Sequence, residues 1–136
     1  MTIMRESVDV PKINMKELYR YMGVTGNPEE SIVKLAYEAA EKITREATCR
    51  ICYTRLEIER PDNDTIVIGD IKTNSIFLKK NLHDCKEAYL FSATIGGTVD
   101  RLISAARTAP SKALALDAAA SALVEALCDD LNSRLK

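Results

Sequence analysis

The chain has 136 residues, of which 46% are hydrophobic and 29% charged, so it contains enough apolar material for one folded domain spanning 1–136 and is not a disordered segment. A net charge of −1 provides no overall positive field, which argues against nucleic acid and an anionic membrane as partners. There is no apolar run long enough to span a bilayer, no apolar signal core and only four cysteines, and together these indicate a cytoplasmic protein with reduced thiols.

The N-terminal part of the chain predicts a short extended segment followed by two helices. Residues 8–10 are extended before Pro11, and Asn14 is placed to cap a helix over 15–22 that ends at Gly23. Asn27-Pro28-Glu29-Glu30 is typical of a helix start, with a cap, a first-turn proline and an acidic first turn. The second helix is indicated by apolar residues at helical spacing, namely Ile32, Leu35, Ala36, Ala39, Ala40 and Ile43.

The middle of the chain changes to strand periodicity. A strand over 51–58, a turn at 61–64 and a strand over 65–68 predict a hairpin. A modest helix starts at Asn74 or Ser75 and runs through Leu82. The apolar run 87–95 predicts a buried strand that ends at the Gly96-Gly97 pair.

Two helices are predicted in the last third of the chain. One covers 99–106, and the second opens at Thr108-Ala109-Pro110 and runs almost to Lys136. The long helix has an apolar stripe made of Leu116, Ala120, Leu123, Leu127 and Leu131. Its many alanines allow a neighbour to approach closely, which favours a packed α+β domain.

Cysteine and histidine residues raise the question of a metal or redox site. Cys49 and Cys52 have the spacing of a redox dithiol or of half a zinc site, and His83 with Cys85 is a conceivable second half. The His-x-Cys spacing is unusual for a second pair, and residues three apart in a strand point to opposite faces. Ordinary thiols and a surface histidine are therefore the expectation, with no metal site and no catalytic residues assigned.

Two places in the sequence are candidates for binding a ligand. Thr94, Gly96 and Gly97 lie between a strand and a helix, where backbone N–H groups can receive an anion, although glycines there also serve simple tight turns. Asp117 and Glu125 lie eight residues apart in the apolar last helix, so an inward-facing carboxylate there is a ligand candidate. The alternative for both acids is a solvated position at the edge of the stripe.

Three segments resemble one protein family over most of the chain. They are Leu18-Tyr-Arg-Tyr-Met-Gly23, Phe91-Ser-Ala-Thr-Ile-Gly-Gly-Thr-Val-Asp-Arg-Leu-Ile103 and Lys112-Ala-Leu-Ala-Leu-Asp-Ala-Ala-Ala-Ser-Ala-Leu-Val-Glu-Ala-Leu-Cys128. In order and spacing they resemble the activation (reactivation) domain of vitamin B12-dependent methionine synthase. The resemblance implies an α+β fold, an antiparallel sheet flanked by helices and a long C-terminal helix.

The same resemblance implies a role beside a cobalamin protein. In the family, this domain binds S-adenosylmethionine and presents its methyl group to oxidised cobalamin while a flavoprotein supplies an electron. The chain ends at Lys136 without the family's Arg-x-x-Pro-Gly-Tyr segment, which supplies much of the S-adenosylmethionine site. Glu125 falls where the family places a glutamate and is the first choice for a remaining ligand contact.

Three functional hypotheses follow from the resemblance. The first is an accessory module that docks on a corrinoid or methionine synthase protein, with cobalamin reached only through that partner. The second is an S-adenosylmethionine-dependent reactivase whose site is completed by oligomerisation or by a partner subunit, so that a homodimer is possible. The third is a scaffold that has kept the fold without a ligand.

Overall fold

The computed structural model describes residues 2–136, which form five strands and five helices. In chain order they are β1 (Met4–Val8), α1 (Met15–Tyr21), α2 (Glu30–Glu46), β2 (Cys49–Glu59), β3 (Ile66–Ile68), β4 (Ile71–Thr73), α3 (Ile76–Asn81), β5 (Glu87–Thr94), α4 (Gly97–Ala105) and α5 (Pro110–Leu135). The described chain divides into two compact units. We call residues 2–5 and 52–92 the sheet unit and residues 6–51 and 93–136 the helical unit.

The strands form one sheet in the order β1-β2-β3-β4, with β5 also paired to β2. The pairs β2–β3 and β3–β4 are antiparallel, with Ile58 opposite Ile68 and Val67 opposite Lys72. The predicted hairpin is confirmed, and β4 is an additional strand that the sequence reading missed. An α+β fold with an antiparallel sheet, flanking helices and a long C-terminal helix is also confirmed. A domain can contain two compact units, so the single domain over 1–136 stays a prediction.

The sheet unit has a small core on one face of β2. Thr54, Leu56 and Ile58 are buried at alternate positions, together with Ile66 of β3, as the two-residue period of a strand requires. The buried Thr54 hydroxyl donates a hydrogen bond to the Thr2 carbonyl oxygen at 2.7 Å, so this polar side chain is satisfied.

The prediction of a buried strand over 87–95 is wrong for its central residues. Tyr89, Leu90 and Phe91 are 42%, 56% and 38% exposed. A continuous apolar run normally indicates a strand covered on both faces. In β5 the three residues alternate between the two faces and are exposed on both.

The helical unit is organised around α5, which packs against α1, α2 and α4. The predicted stripe of α5 is buried throughout. The helices that meet it contribute small or branched residues to the same core, namely Leu18 from α1, Ala36, Ala39, Ala40 and Ile43 from α2, and Val99 from α4. Alanines on both α2 and α5 allow the two helix backbones to approach closely.

The predicted helix starts are confirmed for α1, α3 and α5 and wrong for α2. The Asn14 side chain accepts a hydrogen bond from the Lys16 N–H at 3.0 Å, and α1 ends before Gly23, whose φ is +77°, as predicted. The start predicted for α2 is wrong: the helix begins at Glu30, two residues later, so Asn27 is not its cap. Ser75 caps α3, and Pro110 is the first residue of α5, both as expected.

Candidate functional site

The five candidate binding residues all lie in the helical unit. Thr94, Gly96 and Gly97 form the turn between β5 and α4. The Thr94 hydroxyl accepts a hydrogen bond from the Gly96 N–H at 3.1 Å. That N–H is thus already paired within the turn, and the N–H groups available to a ligand here are those of the first turn of α4, which begins at Gly97.

Gly96 is required by the geometry of this turn. Its φ is +95°, and a Cβ added there would lie 3.3 Å from the Thr48 carbonyl oxygen. The turn is tied to the same residue by a hydrogen bond from the Thr48 N–H to the Ile95 carbonyl oxygen at 2.9 Å. A positive φ and a close backbone contact together explain the glycine. A structural role therefore accounts for Gly96 without a ligand.

Glu125 faces α1 and is partly accessible. Its side chain is 43% exposed, and its Oε1 lies 3.6 Å from Arg20 Nη2. The same guanidinium binds Glu17 more closely, with Nη2 and Nε at 2.6 and 2.9 Å from the Glu17 carboxylate. Because Arg20 is held mainly by Glu17, the Glu125 carboxylate keeps hydrogen-bonding capacity for another donor.

Tyr21 completes the group around Glu125. Hydrogen bonding to the Glu125 carboxylate, helped by partial burial, raises the pKa of Tyr21. The Arg20 guanidinium lies 4.6 Å from the centre of the Tyr21 ring. Hydrogen bonding to Arg20 lowers the pKa of Glu17. We call Glu17, Arg20, Tyr21 and Glu125 the α1–α5 polar cluster.

Asp117 does not belong to this cluster. It is exposed on α5, about 12 Å along the helix axis from Glu125 at 1.5 Å per residue. No ion pair involves Asp117 in the part of the chain that the structure describes. Its position agrees with the alternative reading of a solvated carboxylate at the edge of the stripe.

The cysteines and His83 do not assemble into one site. All four cysteines are free, Cys49 is buried, and the Cys52 sulfur lies 3.6 Å from the Ser92 hydroxyl. The His83 side chain is 71% exposed and contacts Asp84 at 2.9 Å. Within residues 2–136 no three His, Cys, Asp or Glu side chains are grouped so that they could hold a metal ion.

A separate cavity of about 350 Å³ lies in the helical unit between α2 and α5. Its wall includes Glu38, Lys42, Arg45 and Lys112, with Leu116 among the apolar residues. None of the five candidate binding residues lines it. Three basic and two acidic side chains border this cavity, the second acid being Glu41, so its lining has charges of both signs.

The sequence reading missed the other three members of the α1–α5 polar cluster. The spacing of Glu17 and Arg20 on a predicted helix was a visible signal for their ion pair. The approach of Arg20 to Glu125 joins residues about a hundred positions apart and has no local signal. Only the packing of α1 on α5 brings these two side chains together.

No protein-family model and no curated protein matches the chain in sequence. Among residues 2–136, no helix combines the length and apolar content needed to cross a membrane.

Among solved structures, the chain is similar to the MetH reactivation domain bound to AdoHcy. The match has a TM-score of 0.68 at 15% sequence identity and covers 98% of this chain. It covers 55% of the matched chain, so the sequence corresponds to about half of that structure. The likeness extends over nearly all of the elements described above, and we conclude that the chain has the fold of the MetH reactivation domain.

Proposed function

We propose that this chain is an accessory module that assists the reactivation of a cobalamin-dependent methyltransferase of the methionine synthase type. The observation that carries the proposal is the fold, which matches a methionine synthase reactivation domain over 98% of the chain. The proposed partner is a corrinoid or methionine synthase protein that carries the cobalamin. The compartment we propose is the cytoplasm.

The α1–α5 polar cluster is the place where we expect contact with a ligand of the S-adenosylmethionine class. That ligand carries an amino-acid end with an ammonium and a carboxylate, and a positively charged sulfur from which a methyl group can be transferred. A carboxylate such as Glu125 suits the ammonium, and a guanidinium such as Arg20 suits the carboxylate, since charge-assisted hydrogen bonds of this kind are strong. The donor set of the cluster therefore fits the amino-acid end of the ligand.

The role of this chain's own residues is binding and positioning. Glu17 holds Arg20 through two short hydrogen bonds, so the guanidinium is oriented before a ligand arrives. Tyr21 adds a cation–π contact to the same guanidinium, at 4.6 Å from the ring centre. We propose further contacts with the ligand at Asp117, Thr94 and Gly97, because these residues are exposed in the helical unit.

The accessory role predicts a direct complex. Sedimentation velocity of the purified chain, mixed with a cobalamin-loaded methionine synthase lacking its own reactivation domain, should show a complex at tens of micromolar, as weak and transient interfaces typically do. The rate of return of the oxidised cofactor to its methylated form should rise when the chain is added. No complex and no change in that rate would contradict the proposal.

A second candidate, a reactivase whose S-adenosylmethionine site is completed by oligomerisation of this chain rather than by a partner subunit, is favoured by the accessible Glu125 carboxylate. Titration calorimetry separates the two candidates. Binding by the chain alone, weakened roughly ten- to hundredfold by Glu125→Gln through loss of a charged hydrogen bond, supports the reactivase. Asp129→Asn, on the same helix and exposed, is the matched control and should leave binding unchanged. Binding only in the presence of the methyltransferase supports the accessory module.

A further inference from the structure

The strand β5 exposes an apolar surface on both of its faces. Tyr89 and Phe91 lie on one face and Leu90 on the other, because side chains alternate along a strand. The three residues are 42%, 38% and 56% exposed. Tyr89 already makes an edge-to-face contact with Tyr53 in the same chain, at 6.3 Å between ring centres, and is exposed despite it.

One edge of β5 is also unpaired. Within residues 2–136, β5 pairs with β2 and with no other strand. The Ile58 N–H of β2 donates to the Lys86 carbonyl oxygen at 2.9 Å, and Cys52 of β2 lies beside Ser92 in the same register. Between Lys86 and Ser92, backbone groups of even-numbered residues therefore point towards β2, and this alternation ends before Ile95. Those of Glu87, Tyr89 and Phe91 therefore point to the open edge, since the direction alternates along an antiparallel strand.

This edge has few of the features that normally prevent pairing. β5 contains no proline, and its single charged residue, Glu87, is at its start and forms an ion pair with Arg55 at 3.0 Å. Exposed edges are usually protected by prolines, by central charges or by a covering element. The centre of β5 has bare backbone groups and bare apolar side chains together, which is the combination that recruits another strand.

We propose that β5 is the interface for a second copy of this chain, with the two β5 strands pairing antiparallel about a two-fold axis at Leu90. In this register Leu90 faces its own counterpart. Tyr89 lies opposite the partner's Phe91, and by symmetry Phe91 lies opposite the partner's Tyr89. Tyr89 of one copy and Phe91 of the other exchange backbone hydrogen bonds, because the N–H and C=O groups of both residues point to the open edge.

The pattern of charges supports a copy of the same strand as the occupant. In the register centred on Leu90, Glu87 lies opposite Ala93, so no like charges face each other. The two cross-strand aromatic pairs and the central leucine pair each stabilise an antiparallel ladder. A two-fold axis allows one self-complementary patch to satisfy both partners at once.

The size of the surface sets the expected strength. A standard stable interface buries about 800 Å² on each partner, and one strand of eight residues with three large apolar side chains supplies less than that. The dimer should thus be weak and depend on protein concentration. This inference does not depend on the proposed function, because the surface lies outside the α1–α5 polar cluster.

Sedimentation equilibrium from about 1 to about 500 micromolar, a range chosen for a weak interface, tests the proposal. The average mass of the wild-type chain should rise from 15.1 kDa towards twice that value. Leu90→Lys should keep the chain monomeric, because it places two ammonium groups opposite each other. Leu114→Lys is the matched control, since Leu114 is 48% exposed on α5, and it should dimerise like the wild type.

A charge-swap experiment identifies the two-fold contact directly. Leu90→Lys and Leu90→Glu chains should each be monomeric alone and should associate when mixed in equal amounts, because opposite charges then meet at the axis. Association on mixing also shows that both variants are folded. A wild-type chain that stays monomeric over the whole range, or dimerises equally well with Leu90→Lys, overturns the proposal. So does a mixture that fails to associate.

Discussion

Gly96 is the residue whose backbone is most tightly specified in the candidate site. Gly96→Ala should lower the free energy of unfolding by about 1 to 3 kcal/mol, because alanine is strained at a φ of +95° and its Cβ would press on the Thr48 carbonyl oxygen. Urea denaturation followed by circular dichroism measures the change.

Gly97→Ala is the control for this prediction. Gly97 has no positive φ, and an added Cβ would meet only the Arg101 side chain, at an ordinary 3.5 Å. The free energy of unfolding of the Gly97→Ala variant should be unchanged or raised by up to about 1 kcal/mol. Equal losses for both variants would mean that the turn does not depend on the conformation of Gly96.

The α1–α5 polar cluster shows what residue patterns can and cannot predict. Glu17 and Arg20 are three apart on a helix, so their ion pair could be anticipated from the sequence. The choice of Glu125 over Asp117 could not come from helical spacing, because both positions border the same apolar stripe. The packing of the helices decides what each carboxylate contacts: Arg20 of α1 meets Glu125, whereas Asp117 faces solvent.

At the scale of elements, the two asparagines that precede helices should behave differently. Asn14→Ala should lower the free energy of unfolding by about 1 kcal/mol, because the Asn14 side chain accepts the Lys16 N–H. Asn27→Ala should change it by less than about 0.5 kcal/mol, since α2 begins at Glu30 and its N-cap position is Glu29 rather than Asn27. Thermal and urea unfolding of both variants checks the difference. A larger loss for Asn27→Ala would mean that α2 starts earlier in solution.

The strand β5 explains why element boundaries were easier to predict than burial. Its apolar run and the glycines after it were sufficient to predict a strand ending near Gly96. Whether a strand is covered depends on which elements pack on its faces, and that is a property of the tertiary structure. The same limit applies to α2, where a proline after an asparagine mimics a helix start but precedes the real one.

At the scale of the whole molecule, the two units differ in how much they bury. Among residues 2–136, six of the seven largest fully buried side chains lie in the helical unit, and the seventh, Ile66, lies in the sheet unit. The six are Leu18, Ile43, Leu116, Leu123, Leu131 and Val99. Amide hydrogen exchange measured by mass spectrometry should therefore be faster in peptides from residues 52–92 than in those from α2 and α5, because local opening exposes less apolar surface there. Equal protection of both regions would show that the chain opens only as a whole.

The α+β fold class could be predicted from the sequence, because apolar residues recur at a different spacing in helices and in strands. The family resemblance supplied the expected antiparallel arrangement. Neither source could define the site, since a binding site depends on side chains that converge from distant positions. Glu125 was predicted as a ligand contact from its place in a segment that resembles the family, and its neighbours became visible only in three dimensions.

The alanine face of α5 has a consequence for the entropy of folding. Alanine has no side-chain rotamers to lose on burial, whereas leucine or methionine loses rotational freedom. Helix packing built on Ala115, Ala118, Ala119 and Ala122 thus orders the backbone without freezing side chains. An alanine surface also has one shape only. It cannot repack around a larger substituent, so a bulky residue at these positions must push the facing helix away.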